Sequence, residues 1–187
     1  MAIRTFVAIP VPRTWGEYLI AVGRSLATVV SGVSWAKPEN LHLTLRFLGD
    51  LGAEDAVRLG EVVARGAEGG TSVLAELGGL GAFPHLDRPR VLWVGIARGE
   101  PELQGLAHRV NAAVDAAGFP PDDKPFRAHL TLGRVREGAR GFDALRSFAL
   151  PPRPPAAPLD RILVMKSDLH PTGARYTALR EVRLPPP

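Results

Sequence analysis

His42-Leu43-Thr44-Leu45 and His129-Leu130-Thr131-Leu132 are one tetrapeptide written twice, once in each half of a chain of 187 residues. The chain holds five His and eight Thr. By chance that composition yields His-x-Thr only about 0.2 times, so the repetition is a signal. In a β-strand alternate side chains share a face, which sends His and Thr to one side and both leucines to the other. Each copy then offers an imidazole and a hydroxyl to a cleft while its leucines anchor the strand in a core. Two imidazoles flanking a phosphorus can act as general acid and general base in an in-line displacement, because histidine exchanges protons near neutral pH. The hydroxyls of Thr44 and Thr131 can donate to the non-bridging oxygens, where negative charge builds in the transition state.

A single His-x-Thr in a strand is more often a packing pair, since Thr favours strands in any case. Duplication with identical leucines reverses that reading. A catalytic zinc needs three protein ligands and would have to recruit His85, His108, His170 or a carboxylate. No His-x-x-x-His or comparable spacing exists, so the site is expected to hold no metal and the protein to use no cofactor. Arg127, two residues before His129, shares its face by alternation. Arg134 is five residues after His129 and on an ideal strand points away from the cleft; a bulge at Gly133 would re-aim it. Trp35 and Phe126 precede the motif strands, at a rim where they can stack on a base or simply pack. Phe6, Trp93 and Tyr176 read as core, and Phe47, five from His42, falls on the leucine face.

The elements that position these residues follow from periodicity. Thr5 to Ile9 reads as a short buried strand closed by Pro10 and Pro12, and Trp15 to Val30 as a helix with Leu19, Val22, Leu26 and Val30 on one side. The first motif strand, Leu41 to Leu48, precedes a helix over Glu54 to Ala67 that Gly69-Gly70 ends. Val73 to Leu77 and Val91 to Ile96 form an expected hairpin around a Gly78 to Pro89 loop. A third helix, with Leu103, Leu106, Val110, Val114 and Ala117 on its apolar face, leads to the second motif strand, Ala128 to Val135. Phe142 to Phe148 reads as a short helix, Pro151 to Pro158 as a rigid connector, and Leu159 to Lys166 and Thr177 to Leu184 as closing strands. The pattern is α+β: two pseudo-symmetric lobes, each an antiparallel sheet with helices outside, their motif strands facing a central cleft. Residues 1–187 are expected to form one two-lobed domain.

Composition narrows the setting. There is no Cys, which excludes disulfides and thiolate metal sites and suits a reducing cytoplasm. The opening residues enter a strand at once, without a signal-peptide pattern, and no apolar run has membrane-spanning length. A net charge of +4 with Arg as 20 of the 23 basic residues suits a polyanionic partner. A coding bias towards Arg, Ala, Gly and Pro explains the same numbers equally well.

The repeated motif, with Phe6-Val7-Ala8-Ile9, Trp35, Asn40 to Gly49, Pro89 to Trp93, Pro125 to Arg134, Lys166 to Leu169 and Tyr176 to Leu179, resembles the two-histidine phosphoesterase superfamily. Within it the sequence is most similar to the RNA 2′,3′-cyclic phosphodiesterases, also called 2′-5′ RNA ligases. The resemblance implies metal-independent opening of a terminal cyclic phosphate to a 2′-phosphomonoester, with weak 2′-5′ joining when a 5′-hydroxyl replaces water as nucleophile. It makes His42 the proton donor, His129 the acceptor, and Thr44 and Thr131 phosphate ligands; it also sets Arg134 on phosphate. The implied partner is RNA with a 2′,3′-cyclic phosphate end, tRNA halves among the candidates, met by a cytoplasmic monomer away from membranes. Two other readings stay open: an RNA-binding module without turnover, and an enzyme for small cyclic nucleotides.

Overall fold

The computed structural model, which describes residues 2–122, 124–171 and 173–187, sets both tetrapeptides at the start of long strands lying side by side within an antiparallel sheet. The strands are β1 (Ile3–Pro10), β2 (Ser31–Trp35), β3 (His42–Leu51), β4 (Val73–Phe83), β5 (Val91–Arg98), β6 (His129–Arg140), β7 (Ala157–Leu159), β8 (Arg161–His170) and β9 (Gly173–Arg183). The helices are α1 (Arg13–Leu26), α2 (Ala53–Ala67) and α3 (Glu100–Ala116). Strand order is β7-β4-β5-β6-β3-β1-β8-β9, with β2 alongside β6. Between β3 and β6 the sheet divides into two lobes of matching order: β3, β1, β8, β9 on one side and β6, β5, β4, β7 on the other. Leu43 pairs with Leu130 across that junction.

Each helix buries one apolar stripe: Trp15, Leu19, Val22 and Leu26 on α1, Leu59, Val62 and Val63 on α2, Leu103, Leu106, Val110 and Val114 on α3. Acidic residues open α2 and α3, where they complement the helix dipole. The helices α2 and α3 cross closely because position 66 is glycine; a Cβ there would lie 2.9 Å from the Val110 backbone. The packing is exchanged between lobes. The helix α1 precedes β3 yet packs on β6, and α3 precedes β6 yet packs on β3. Each motif strand is thus backed by the helix that leads, in sequence, to the other.

Three sequence expectations need correction. The first helix ends at Leu26 rather than Val30, and the freed residues lead into β2, which borders β6. The segment Gly78 to Phe83 is strand, not loop. Its glycines permit close approach, since a Cβ at Gly78 would meet the Gly95 backbone at 3.1 Å, and a register shift between Leu77 and Leu80 accommodates them. The connector ahead of β8 adds β7 to the edge of β4.

Candidate functional site

Alternation along β3 and β6 does what the tetrapeptides require. Leu43, Leu45, Leu130 and Leu132 are buried, while His42, Thr44, His129 and Thr131 are half-buried on the other face. With Leu43 opposite Leu130 in an antiparallel pair, His42 comes level with Thr131 and Thr44 with His129. Each imidazole therefore faces the hydroxyl of the other motif across a pseudo-twofold centre.

Beyond the motifs both strands bulge at the same place. In β3, Ala8 pairs with Thr44 but Val7 with Arg46, so Leu45 is the extra residue. In β6, Trp93 pairs with Thr131 but Leu92 with Gly133, so Leu132 is the extra residue. A bulge reverses the alternation that follows it. Arg134 consequently returns to the cleft face, with the bulge at Leu132 rather than Gly133. Phe47 returns likewise, which corrects its expected place on the leucine side: it is 49% exposed and its ring lies 5.9 Å from that of Phe6. The other half of the reversal sends Arg46 inward, where its guanidinium donates to Asp115 and to the Pro120 carbonyl, each at 2.7 Å. Both bulge carbonyls are held by the segment that precedes the opposite motif: Leu45 accepts from Asn111 Nδ2 at 3.4 Å, and Leu132 from the Ala36 N–H at 2.7 Å.

The two imidazoles are oriented identically. His42 Nδ1 donates to the Asn40 carbonyl at 2.8 Å, and His129 Nδ1 to the Arg127 carbonyl at 2.7 Å. A carbonyl only accepts, so Nδ1 carries the proton and the lone pair of the neutral ring is on Nε2. Both rings hold their protons less tightly than free histidine. For His42 the main cause is burial, with His129 and Arg134 adding like-charge repulsion. For His129 burial again leads, followed by the guanidiniums of Arg127 and Arg134. The backbone hydrogen bonds oppose both shifts.

Aromatic rings brace each imidazole. Phe6 and Tyr176 lie 4.9 and 5.4 Å from His42; Phe83 and Trp93 lie 4.9 and 6.0 Å from His129. Trp93 can lie across β4 because Gly81 has no side chain, a Cβ there overlapping its ring. Phe6, Trp93 and Tyr176, read from sequence as core, are these neighbours. Phe83 had no sequence signal, since its strand reads as loop. The Arg127 guanidinium sits 5.7 Å from the centre of the Phe83 ring.

The structure separates Trp35 and Phe126 from this group. Trp35 shares a hollow of about 290 Å³ with Leu19, Gly23, Leu41 and Leu132. Its ring lies 3.5 Å from where a Gly23 Cβ would stand, so packing against α1 is its role. Phe126 lines a hollow of about 620 Å³ with Arg46, His108 and Asn111 of the helix-bearing side. Among the described residues no three His, Asp or Glu side chains form a group that could hold a metal ion.

A profile of the LigT like phosphoesterase family matches the chain twice, over residues 9–93 and 94–176, so each matched unit contains one tetrapeptide. An RNA 2′,3′-cyclic phosphodiesterase of Archaeoglobus fulgidus is 38% identical over 148 residues, spanning 79% of this chain and 81% of its own. One of Thermotoga maritima is 31% identical over 180 residues, spanning 96% and 94%. The crystal structure of E. coli LigT complexed with 3′-AMP superposes with a TM-score of 0.77 over 98% of this chain and 99% of that one; at 24% identity the likeness speaks for the fold.

Proposed function

The chain belongs to the LigT like phosphoesterase family, and from that premise we propose that it hydrolyses the 2′,3′-cyclic phosphodiester at an RNA end to a 2′-phosphomonoester by acid-base catalysis between His42 and His129. The observation that carries this reading is the matched pair of imidazoles, each with Nδ1 tied to a carbonyl two residues back and Nε2 left for chemistry. Water attacks phosphorus while one Nε2 takes its proton; the P–O3′ bond breaks and the other ring, protonated, gives its proton to the departing 3′-oxygen. The net change is one water added across one P–O bond. Thr44, Thr131 and Arg134 bind the phosphoryl oxygens, where a donor fixed in advance is worth most in the transition state.

His129 is assigned as base and His42 as acid. The assignment is the one that the family resemblance implies; burial lowers the proton affinity of both rings, and the Arg127 guanidinium adds to this at His129. The anionic substrate raises the proton affinity of both rings as it binds, which supplies the protonated acid. With a ribose 5′-hydroxyl in place of the attacking water, the same groups form a 2′-5′ linkage: the 5′-oxygen bonds to phosphorus as the P–O3′ bond breaks, one ring taking the hydroxyl proton and the other protonating the 3′-oxygen. No metal takes part in these steps. A cytoplasmic setting is part of the reading and is supported by the Cys-free sequence.

The test is incubation with an oligoribonucleotide ending in a 2′,3′-cyclic phosphate, in excess EDTA, followed by separation of the products. Accumulation of the 2′-phosphate alone supports the reading. Binding without turnover would make the protein an RNA-binding module, and loss of turnover restored by zinc would overturn the two-histidine mechanism.

A further inference from the structure

Pseudo-symmetry supplies an internal control for charge. Along β3 and its approach, the positions Asn40, His42, Thr44, Phe47 and Gly49 correspond, by offset from the histidine, to Arg127, His129, Thr131, Arg134 and Arg136 along β6. The catalytic pairs match; the other three positions are uncharged in one row and all guanidinium in the other. Arg134 faces the cleft after the bulge, and Arg136 follows two residues on, just where the pairing with β2 becomes irregular, its guanidinium brought to the same side by Ser34. Arg136 Nη2 donates to Ser34 Oγ at 3.2 Å, and Ser34 is itself opposite Arg134 in the β2–β6 pair.

On the β8–β9 side Lys166 is paired with Asp168, Arg161 with Asp160 and Glu181, and Arg183 with Glu181, while Arg175 and Arg180 on β9 are exposed without an ion pair among the described residues. Among the described residues no carboxylate lies within ion-pair distance of Arg127, Arg134 or Arg136. Guanidiniums without a carboxylate partner, in a row that starts at the reacting phosphate, are complementary to a polyanion that continues from that phosphate. We infer that the RNA strand upstream of the cyclic phosphate leaves the cleft over the β6 lobe, along Arg134 and Arg136, with Arg136 meeting the next phosphate on the 5′ side. The inference rests on the phosphodiesterase reading and extends it from the reacting end to the RNA body.

The experiment compares a cyclic-phosphate pentanucleotide with the cyclic mononucleotide, which has no upstream phosphate. In wild-type protein the ratio of their kcat/KM values exceeds one and falls with salt. Arg136→Gln lowers that ratio by about five- to tenfold and reduces its log–log salt slope by about 0.7, the share of one single-strand phosphate contact. Arg175→Gln, an exposed cation on β9, leaves ratio and slope at wild-type values. If Arg136→Gln leaves the ratio unchanged, or Arg175→Gln lowers it equally, the track is wrong while the catalytic reading stands. If wild-type protein hydrolyses neither substrate, the catalytic reading fails and the track falls with it.

Discussion

The two lobes agree in what handles protons and differ in what surrounds it. Both motif strands carry His-Leu-Thr-Leu, both bulge at the fourth motif residue, and both histidines tie Nδ1 to the carbonyl two residues back. After the bulge they part: the β3 lobe presents Phe47 above Phe6, and the β6 lobe presents Arg134. At the next position inward the β3 lobe has Arg46, bonded to Asp115 and Pro120, while the β6 lobe has Gly133, where a Cβ would lie 2.6 Å from Val33. A symmetric scaffold can place two equivalent imidazoles, but it cannot choose which is acid and which is base. The choice belongs to the asymmetric residues, which decide how the anion and its ribose bind.

The largest expected effect tests the shared half. His42→Ala and His129→Ala each lower kcat by about 10² to 10⁴, the usual range for a general acid or base, and both keep a cooperative melt because the rings are half-buried at the cleft rather than in the core. Retained turnover in either variant would break the two-histidine mechanism. A substrate with sulfur in place of the 3′-bridging oxygen then separates the roles, since a thiolate leaves without protonation. His42→Ala should recover much of its lost rate on that substrate and His129→Ala should stay slow; the opposite result exchanges the assignments.

The leucines are the mechanical counterpart. Leu43 and Leu130 are each 1% exposed and pair across the lobe junction. Leu43→Ala and Leu130→Ala should each cost about 2–5 kcal/mol of stability, read as a lower urea midpoint. Equal losses would show that the junction is as symmetric in energy as in register.

Arg134 and Phe47 occupy the same position on opposite strands, so their variants probe the difference directly. Arg134→Gln should lower kcat/KM by about 10- to 100-fold, as expected for a charge-assisted hydrogen bond of about 1.5–3 kcal/mol. Phe47→Ala, on an exposed ring with no charge to lose, should have the smaller effect. If Phe47→Ala were the more damaging, the anion would sit against the wrong lobe.

How far the sequence carried the site depended on distance from the motifs. Strict alternation placed the histidines, threonines and leucines, because the leucines need one face and the strand period is two. It failed at Phe47 and left Arg134 undecided, since one inserted residue reverses everything after it and Leu45 and Leu132 look like ordinary strand leucines. Gly78-Gly79 read as loop because glycine marks turns and close backbone approach alike, and that misreading hid Phe83. Trp35 was read by nearness in sequence to a motif, whereas β2 folds along β6 and turns its indole towards α1. The exchange of α1 and α3 between lobes leaves no trace in local pattern, because an amphipathic helix specifies its buried face and not the strand beneath it.

The smallest effect is on pH and concerns Arg127, which stands where the other lobe has Asn40. Turnover needs one neutral and one protonated imidazole, so kcat/KM should follow a bell, its acid limb set by the base, His129, and its alkaline limb by the acid, His42. Both rings are shifted below histidine's ordinary value by burial and by neighbouring cations, and the maximum lies between the two, hence on the acid side of about 6.5. Removing a nearby positive charge makes protonation easier, so Arg127→Gln should move the limb governed by His129 towards higher pH. The limb governed by His42 should move less, since Arg127 is not among the groups that shift it. Asn40→Ala leaves every charge in place and should move neither limb by this route, because the Asn40 group that touches His42 is its backbone carbonyl. Limbs that shift together in Arg127→Gln would mean that the guanidinium acts on the pair as a whole, and the electrostatic difference between the lobes would then rest on Arg134 and Arg136.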